Sequence, residues 1–154
     1  MDGVTPEAAS LKRACELFLQ DLQALPKEAF THRFSPQTRT VADIVYEVNL
    51  VNDHVGLIMR GEEPFDWPEG DYIRAPEEFH AKEAIVGAFV ESSERIVATA
   101  CSFSAEKLQA PLQTDQGETN RAERCRFMTN HLWYHSGQLN FIQTLLGDAA
   151  WHWE

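Results

Sequence analysis

Basic residues are scarce in this chain. Its 154 residues include 13 Lys and Arg against 24 Asp and Glu, a formal net charge of −11 at pH 7. A surface of that sign repels phosphate backbones and anionic headgroups, which argues against nucleic acid and against an acidic membrane face as partners. Cysteine is also rare. The three thiols, Cys15, Cys101 and Cys125, are odd in number and well spaced, which fits free thiols in a reducing cytoplasm rather than a disulfide framework. No apolar run approaches the roughly 18 residues of a membrane span, and Met1–Ser10 lacks the basic-then-apolar pattern of a secretory leader. There is no internal repeat, P-loop, G-x-G-x-x-G, G-x-S-x-G or C-x-x-C, so nucleotide, hydrolase-elbow and zinc-ribbon readings lack support.

The remainder has an ordinary globular composition, 44% hydrophobic and 24% charged, and a length suited to one domain over residues 1–154. The dominant signal is helical. Thr5 as N-cap and Pro6 at the first helical position open a helix over Pro6–Leu25, with Leu11, Cys15, Phe18, Leu22 and Leu25 on one stripe. A second helix fits Thr38–Arg60, stopped by Gly61. Its inward row reads Ile44, Glu47, Val51, His54, Ile58, widened by Val41, Val45, Val48 and Val55. A stretch punctuated by Pro64, Pro68, Gly70 and Pro76 carries Phe65, Trp67 and Tyr72 and reads as a long ordered loop or lid. A third helix fits Pro76–Cys101, with Ile85, Phe89, Ile96 and Val97 inward. Ser104–Leu108 adds a short turn, and polar Pro111–Thr119 reads as loop. The last helix fits Arg121–Leu146, with Asn120 and Glu123 as a capping box and Gly147 beyond its end. Its inward row reads Met128, His131, His135, Gln138, Ile142, Leu145. Four long amphipathic helices and no convincing strand predict an all-α, antiparallel four-helix bundle.

The chemistry concentrates on two of these helices. His131 and His135, spaced i, i+4, share a helix face about 6 Å apart along the axis, a spacing at which two imidazoles can hold one ion. Helix two offers Glu47 or His54 as a further ligand. These two are roughly 10 Å apart along the helix, so one ion takes only one of them, and spacing alone does not choose. Such a set suits zinc, nickel, iron(II) or manganese, one ion per chain. The alternative is a buried hydrogen-bonded core, with Glu47 paired to His131 or His135 and no metal.

The run Asn130-His131-Leu132-Trp133-Tyr134-His135-Ser136-Gly137-Gln138-Leu139, ending in Leu145-Leu146-Gly147, resembles the DinB-like (damage-inducible, YfiT-related) superfamily. Members end in H-x-x-x-H, a small residue, Gly, Gln and an apolar residue, then Leu-Gly. Arg39-Thr40-Val41, the Gly61-Glu62 loop and the length match as well. The resemblance implies a four-helix bundle with one long crossover, often a homodimer, and a divalent metal bound by one histidine of helix two and both of helix four. Counted from Thr40 and back from Gly61, the helix-two histidine falls on Glu47. The chain departs from the family there: Glu47 takes the ligand role, His54 substitutes from two turns away, or the site has lost its metal, and register favours Glu47, with His54 second.

The function expected on that basis is a cytoplasmic, metal-dependent enzyme acting on a small molecule, with thiol transfer to an electrophile, or hydrolysis, as its reaction. The alternative is a non-catalytic dimeric bundle, a binding or stress-response protein with a metal-free Glu-His core. Several other residues carry expectations. Asn49, Asn52 and Asp53 are either a polar extension of the site or solvent-exposed. Trp133 and Tyr134 suit core, interface or pocket, and Gly137 suits close helix packing. Cys125 faces away from the histidines, and His32, His80 and His152 read as surface. Trp151-His152-Trp153 is expected to pack on the body or on a second subunit.

Overall fold

The structure is a computed structural model that describes residues 3–154. Four long helices build it: α1 (Pro6–Ala24), α2 (Val41–Arg60), α3 (Lys82–Cys101) and α5 (Arg121–Leu145), with a short α4 (Ala105–Gln109) before the last. α1 packs on α3 and α5, and α2 packs on α3 and α5. The ring order is therefore α1, α3, α2, α5, and the connections α1–α2 and α3–α5 both cross the diagonal. Phe18, Phe30, Phe89, Met59, Leu132 and Met128 fill the centre, each almost completely buried. No helix among the described residues is long and apolar enough to cross a membrane.

The helix boundaries follow from their caps. The Thr5 hydroxyl accepts from Ala8 N at the start of α1. α2 begins at a reciprocal capping box: the Asp43 amide donates to Thr40 Oγ1, and the Thr40 amide donates to Asp43 Oδ2, both at 3.1 Å. It ends at Gly61, whose φ of 76° is the left-handed conformation that glycine adopts without penalty. Asp43 does more than cap. Its Oδ1 accepts from the Ala75 amide at 2.9 Å, and its Oδ2 pairs with Arg33 at 3.1 Å. Burial raises the Asp43 carboxyl, but the donors from Ala75, Thr40 and Arg33 outweigh it and leave its pKa lowered.

Three expectations are corrected. Helix three does not start at Pro76. A 3-10 turn over Glu77–Phe79 comes first, and α3 begins only at Lys82, because Phe79 turns in against Tyr46 (5.2 Å between ring centroids) and His80 Nε2 bonds Ala75 O at 3.1 Å. Pro111–Thr119 is not loop. Pro111–Thr114 (β1) and Gly117–Asn120 (β2) pair antiparallel around Asp115-Gln116, with Gly117 at φ 111°. This hairpin shows no apolar alternation because only Thr119 is buried. The inward face of α5 is broader than the expected row: Met128, His135 and Ile142 are buried as expected, Leu132, Ser136, Leu139 and Gln143 are buried beside them, and of the expected row only Leu145 is exposed.

Candidate metal centre

α2 and α5 bring Glu47, His131 and His135 together at the edge of the core. Glu47 Oε1 lies 3.6 Å from His131 Nε2 and 3.6 Å from His135 Nε2, and the two nitrogens are 3.1 Å apart. His135 is 1% exposed, His131 14% and Glu47 19%, so the group is sheltered but open on one side. Among the described residues it is the one set of three whose ligand atoms lie within 4.8 Å of one another.

The hydrogen bonds around the triangle give each atom a task. The Nδ1–H of His135 donates to Gln138 Oε1 at 2.7 Å, which leaves the Nε2 lone pair facing the triangle. Gln138 in turn donates from Nε2 to the Tyr134 hydroxyl at 3.4 Å. Glu47 divides its two oxygens: Oε2 accepts from Arg39 Nη2, and Oε1 faces the imidazoles. The guanidinium of Arg39 lies over the Tyr72 ring, 5.4 Å from its centroid, which ties the long loop to the centre. A proton donated from the His131 imidazole, with the Arg39 guanidinium on the other oxygen, holds the Glu47 carboxyl far below the ordinary carboxylate range against the opposing effect of burial. Glu47 is therefore an anion here.

The donor set fits a divalent ion. One carboxylate oxygen and two imidazole nitrogens converge on one point with edges of 3.1–3.6 Å. Metal–ligand bonds near 2.1 Å place neighbouring donors about 3.0–3.4 Å apart, so the observed triangle needs little adjustment. The His135–Gln138 bond places the one proton of a neutral His135 on Nδ1, so its Nε2 offers a lone pair either to an ion or to a proton on His131 Nε2, 3.1 Å away.

His54 lies outside this triangle. Its ring meets Phe65 at 5.1 Å and Trp67 at 5.6 Å, edge-on to both. Asn49 and Asn52 also turn away: the Ser92 hydroxyl on α3 donates to Asn49 Oδ1 at 2.7 Å, Asn52 Nδ2 donates to Ser92 Oγ at 3.0 Å, and Asp53 pairs with Arg95. They form an α2–α3 contact and do not extend the centre. Gly137 is exposed, and a Cβ placed on it meets nothing within 4 Å, so close packing is not its reason. His32 and His80 are exposed, while His152 is half-buried and pairs with Asp148 at 2.7 Å. All three cysteines are free; burial pushes the Cys15 thiol up to about 12 and the Cys125 thiol to about 11, so neither is a ready nucleophile. Arg39 went unrecognised as a partner of Glu47 because it precedes the N-cap, where helical periodicity no longer applies.

The sequence profile of the DinB superfamily matches residues 10–139. The chain belongs to the DinB superfamily. No curated protein matches it. Solved structures confirm the fold of this DinB chain. A conserved protein from Enterococcus faecalis superposes with a TM-score of 0.70 at 16% identity, covering 96% of this chain and 99% of that one. A DinB-like protein from Bacillus cereus gives 0.70 at 17% identity, covering 92% and 91%. A mycothiol-dependent maleylpyruvate isomerase gives 0.62 at 17% identity, covering 95% of this chain but only 62% of the isomerase.

Proposed function

We propose that this DinB protein is a divalent-metal-dependent enzyme in which Glu47, His131 and His135 hold the ion. The observation that carries this reading is the convergence of one ionised carboxylate and two imidazoles on a single point. A bound divalent ion with open positions lowers the pKa of a coordinated water or thiol and so supplies a nucleophile near neutral pH. The chain's own residues do the rest. Gln138 holds His135 in the tautomer that presents Nε2. Arg39 occupies Oε2 of Glu47 and so leaves Oε1 as the ligand atom. The Tyr72 ring lies against the Arg39 guanidinium and helps to hold it in place beside Glu47.

Thiol transfer to a small electrophile is the preferred reaction, with hydrolysis second. Its support is the fold shared with a mycothiol-dependent isomerase. We propose zinc, nickel, iron or manganese, one ion per chain. A homodimer is proposed from the exposed apolar side chains of α5, among them Tyr134, Phe141 and Leu145. Light scattering at micromolar concentration tests it, and a monomer overturns it.

Elemental analysis of protein purified without a histidine tag tests the central claim. A stoichiometric divalent ion, absent from the His131→Ala/His135→Ala variant, supports it; no metal after reconstitution overturns it. Glu47→Ala and His54→Ala separate the two helix-two ligands: Glu47→Ala alone should abolish binding. The second reading, a metal-free structural network, draws on the Arg39–Glu47 pair, which already supplies the carboxylate with a cation.

A further inference from the structure

The face of α2 that bears Glu47 leads two turns on to His54, roughly 10 Å along the axis. His54 and Ile58 wall an open cavity of about 660 Å3 whose other sides are the loop after Gly61 and the turn of the β1–β2 hairpin. That volume is typical of a small-molecule site. Phe65 and Trp67 stand nearly perpendicular to the His54 ring, at 77° and 85°, and keep 37% and 42% of their surface open. Two neighbouring aromatics exposed in one concave wall are unfavourable unless something covers them.

The charge on the walls narrows what that is. Glu62, Glu63, Asp66 and Asp115 line the cavity, and no Lys or Arg does. Arg60 neutralises Glu62 through bonds of 2.8 and 3.1 Å. Glu63, Asp66 and Asp115 have no ion-pair partner among the described residues. Aromatic ring faces are electron-rich and attract organic cations, and the carboxylates add attraction of the same sign. An anion is repelled by these walls, and a neutral apolar ligand leaves the carboxylates without a role.

We propose that this cavity binds an organic ammonium ion with an apolar body, its charge held by Trp67, Glu63, Asp66 and Asp115 and its apolar part by Phe65 and Ile58. The cavity begins at His54, about two turns of α2 from Glu47, so a ligand anchored by its ammonium end and reaching along that face would extend toward the centre. This last step rests on the proposed enzymatic reading; the binding itself does not.

The test uses the full chain stripped of metal with a chelator, so the fate of the centre does not enter. Benzyltrimethylammonium chloride is titrated while the indole N–H resonances of the tryptophans are followed by NMR, with Trp67→Phe assigning its own. The expected result is a saturable shift of the Trp67 signal that benzyl alcohol and phenylacetate do not produce. Trp67→Leu should weaken binding about 5- to 30-fold, the range of a partly desolvated cation–π contact. The triple variant Glu63→Gln/Asp66→Asn/Asp115→Asn, with circular dichroism confirming its fold, should weaken it further. Equal binding of benzyl alcohol, an unmoved Trp67 resonance, or full affinity in the triple variant overturns the proposal. Metal content measured on the same Trp67→Leu protein should be unchanged, so failure here and failure of the metal centre are separately visible.

Discussion

Two sheltered carboxylates flank α5, and their surroundings differ. Glu47 meets two imidazoles and a guanidinium and is 19% exposed. Asp21, on α1, is 2% exposed and meets mainly neutral donors: Trp153 Nε1 at 2.7 Å and Asn140 Nδ2 at 3.3 Å. Burial pushes the Asp21 carboxyl up, and the Trp153 and Asn140 donors, with His152 further off, only partly offset it. The more deeply buried acid is thus the one eased toward neutrality, and the shallower one is held as an anion. Cationic and titratable partners, more than depth, decide which carboxylate stays charged. Asp21 has the surroundings of a structural anchor, clamping the C-terminal segment to α1. Trp153 also rests on Trp133, 5.5 Å between centroids, and Arg13 donates to the Glu154 carbonyl at 2.6 Å.

Substitutions can break this contrast. The largest effect is expected from Glu47→Gln, which keeps the shape and removes the charge: affinity for a divalent ion should fall on the order of 100-fold or more, read by competition with a chromophoric chelator. Asp21→Ala should leave metal affinity intact but strand the Trp153 N–H and the Asn140 amide, costing about 1–3 kcal/mol in urea unfolding. Asp21→Asn sharpens the comparison through pH. A carboxyl whose folded pKa exceeds its unfolded value of 3.8 stabilises the fold below that value, and the contribution is lost as pH rises through the folded pKa. Wild type should therefore gain stability over Asp21→Asn as pH falls through that window, and parallel curves would refute the assignment. The smallest effect belongs to Gly137→Ala, between the two sides on α5. With open space at the Cβ, it should raise stability by up to about 1 kcal/mol, or roughly 2–4 °C in Tm, and leave metal affinity unchanged.

Much of this was legible in the chain. Thr5, Gly61 and Asn120 mark helix ends because caps are local chemistry, and the α1 stripe from Leu11 to Leu25 is buried throughout, whereas α2 starts at Val41 behind the Thr40 cap and not at Thr38. The i, i+4 spacing of His131 and His135 and the register of Glu47 pointed to residues that the fold brings within 3.6 Å. The phase of α5 was harder to read. Its buried face includes Ser136 and Gln143 while Phe141 and Leu145 are exposed, so hydrophobicity misstates which side faces inward. The hairpin was hidden because its strands are polar and pack only through Thr119. Asn49, Asn52 and Asp53 are polar residues of α2 whose partners Ser92 and Arg95 lie on α3, a pairing that helical periodicity does not encode.

The Asp43 side chain has a consequence for how this architecture can diversify. By accepting from the Ala75 amide while capping α2, it fastens the far end of the long loop to the first turn of the helix whose last turn launches that loop. Helix and loop thus form a closed hoop with fixed posts at Gly61 and Ala75. Residues 62–71, short of the Tyr72 contact with Arg39, can change in number or kind, reshaping the cavity around Phe65 and Trp67, without shifting the helix that presents Glu47. Ligand preference and metal chemistry are thereby free to evolve at different rates within one small bundle.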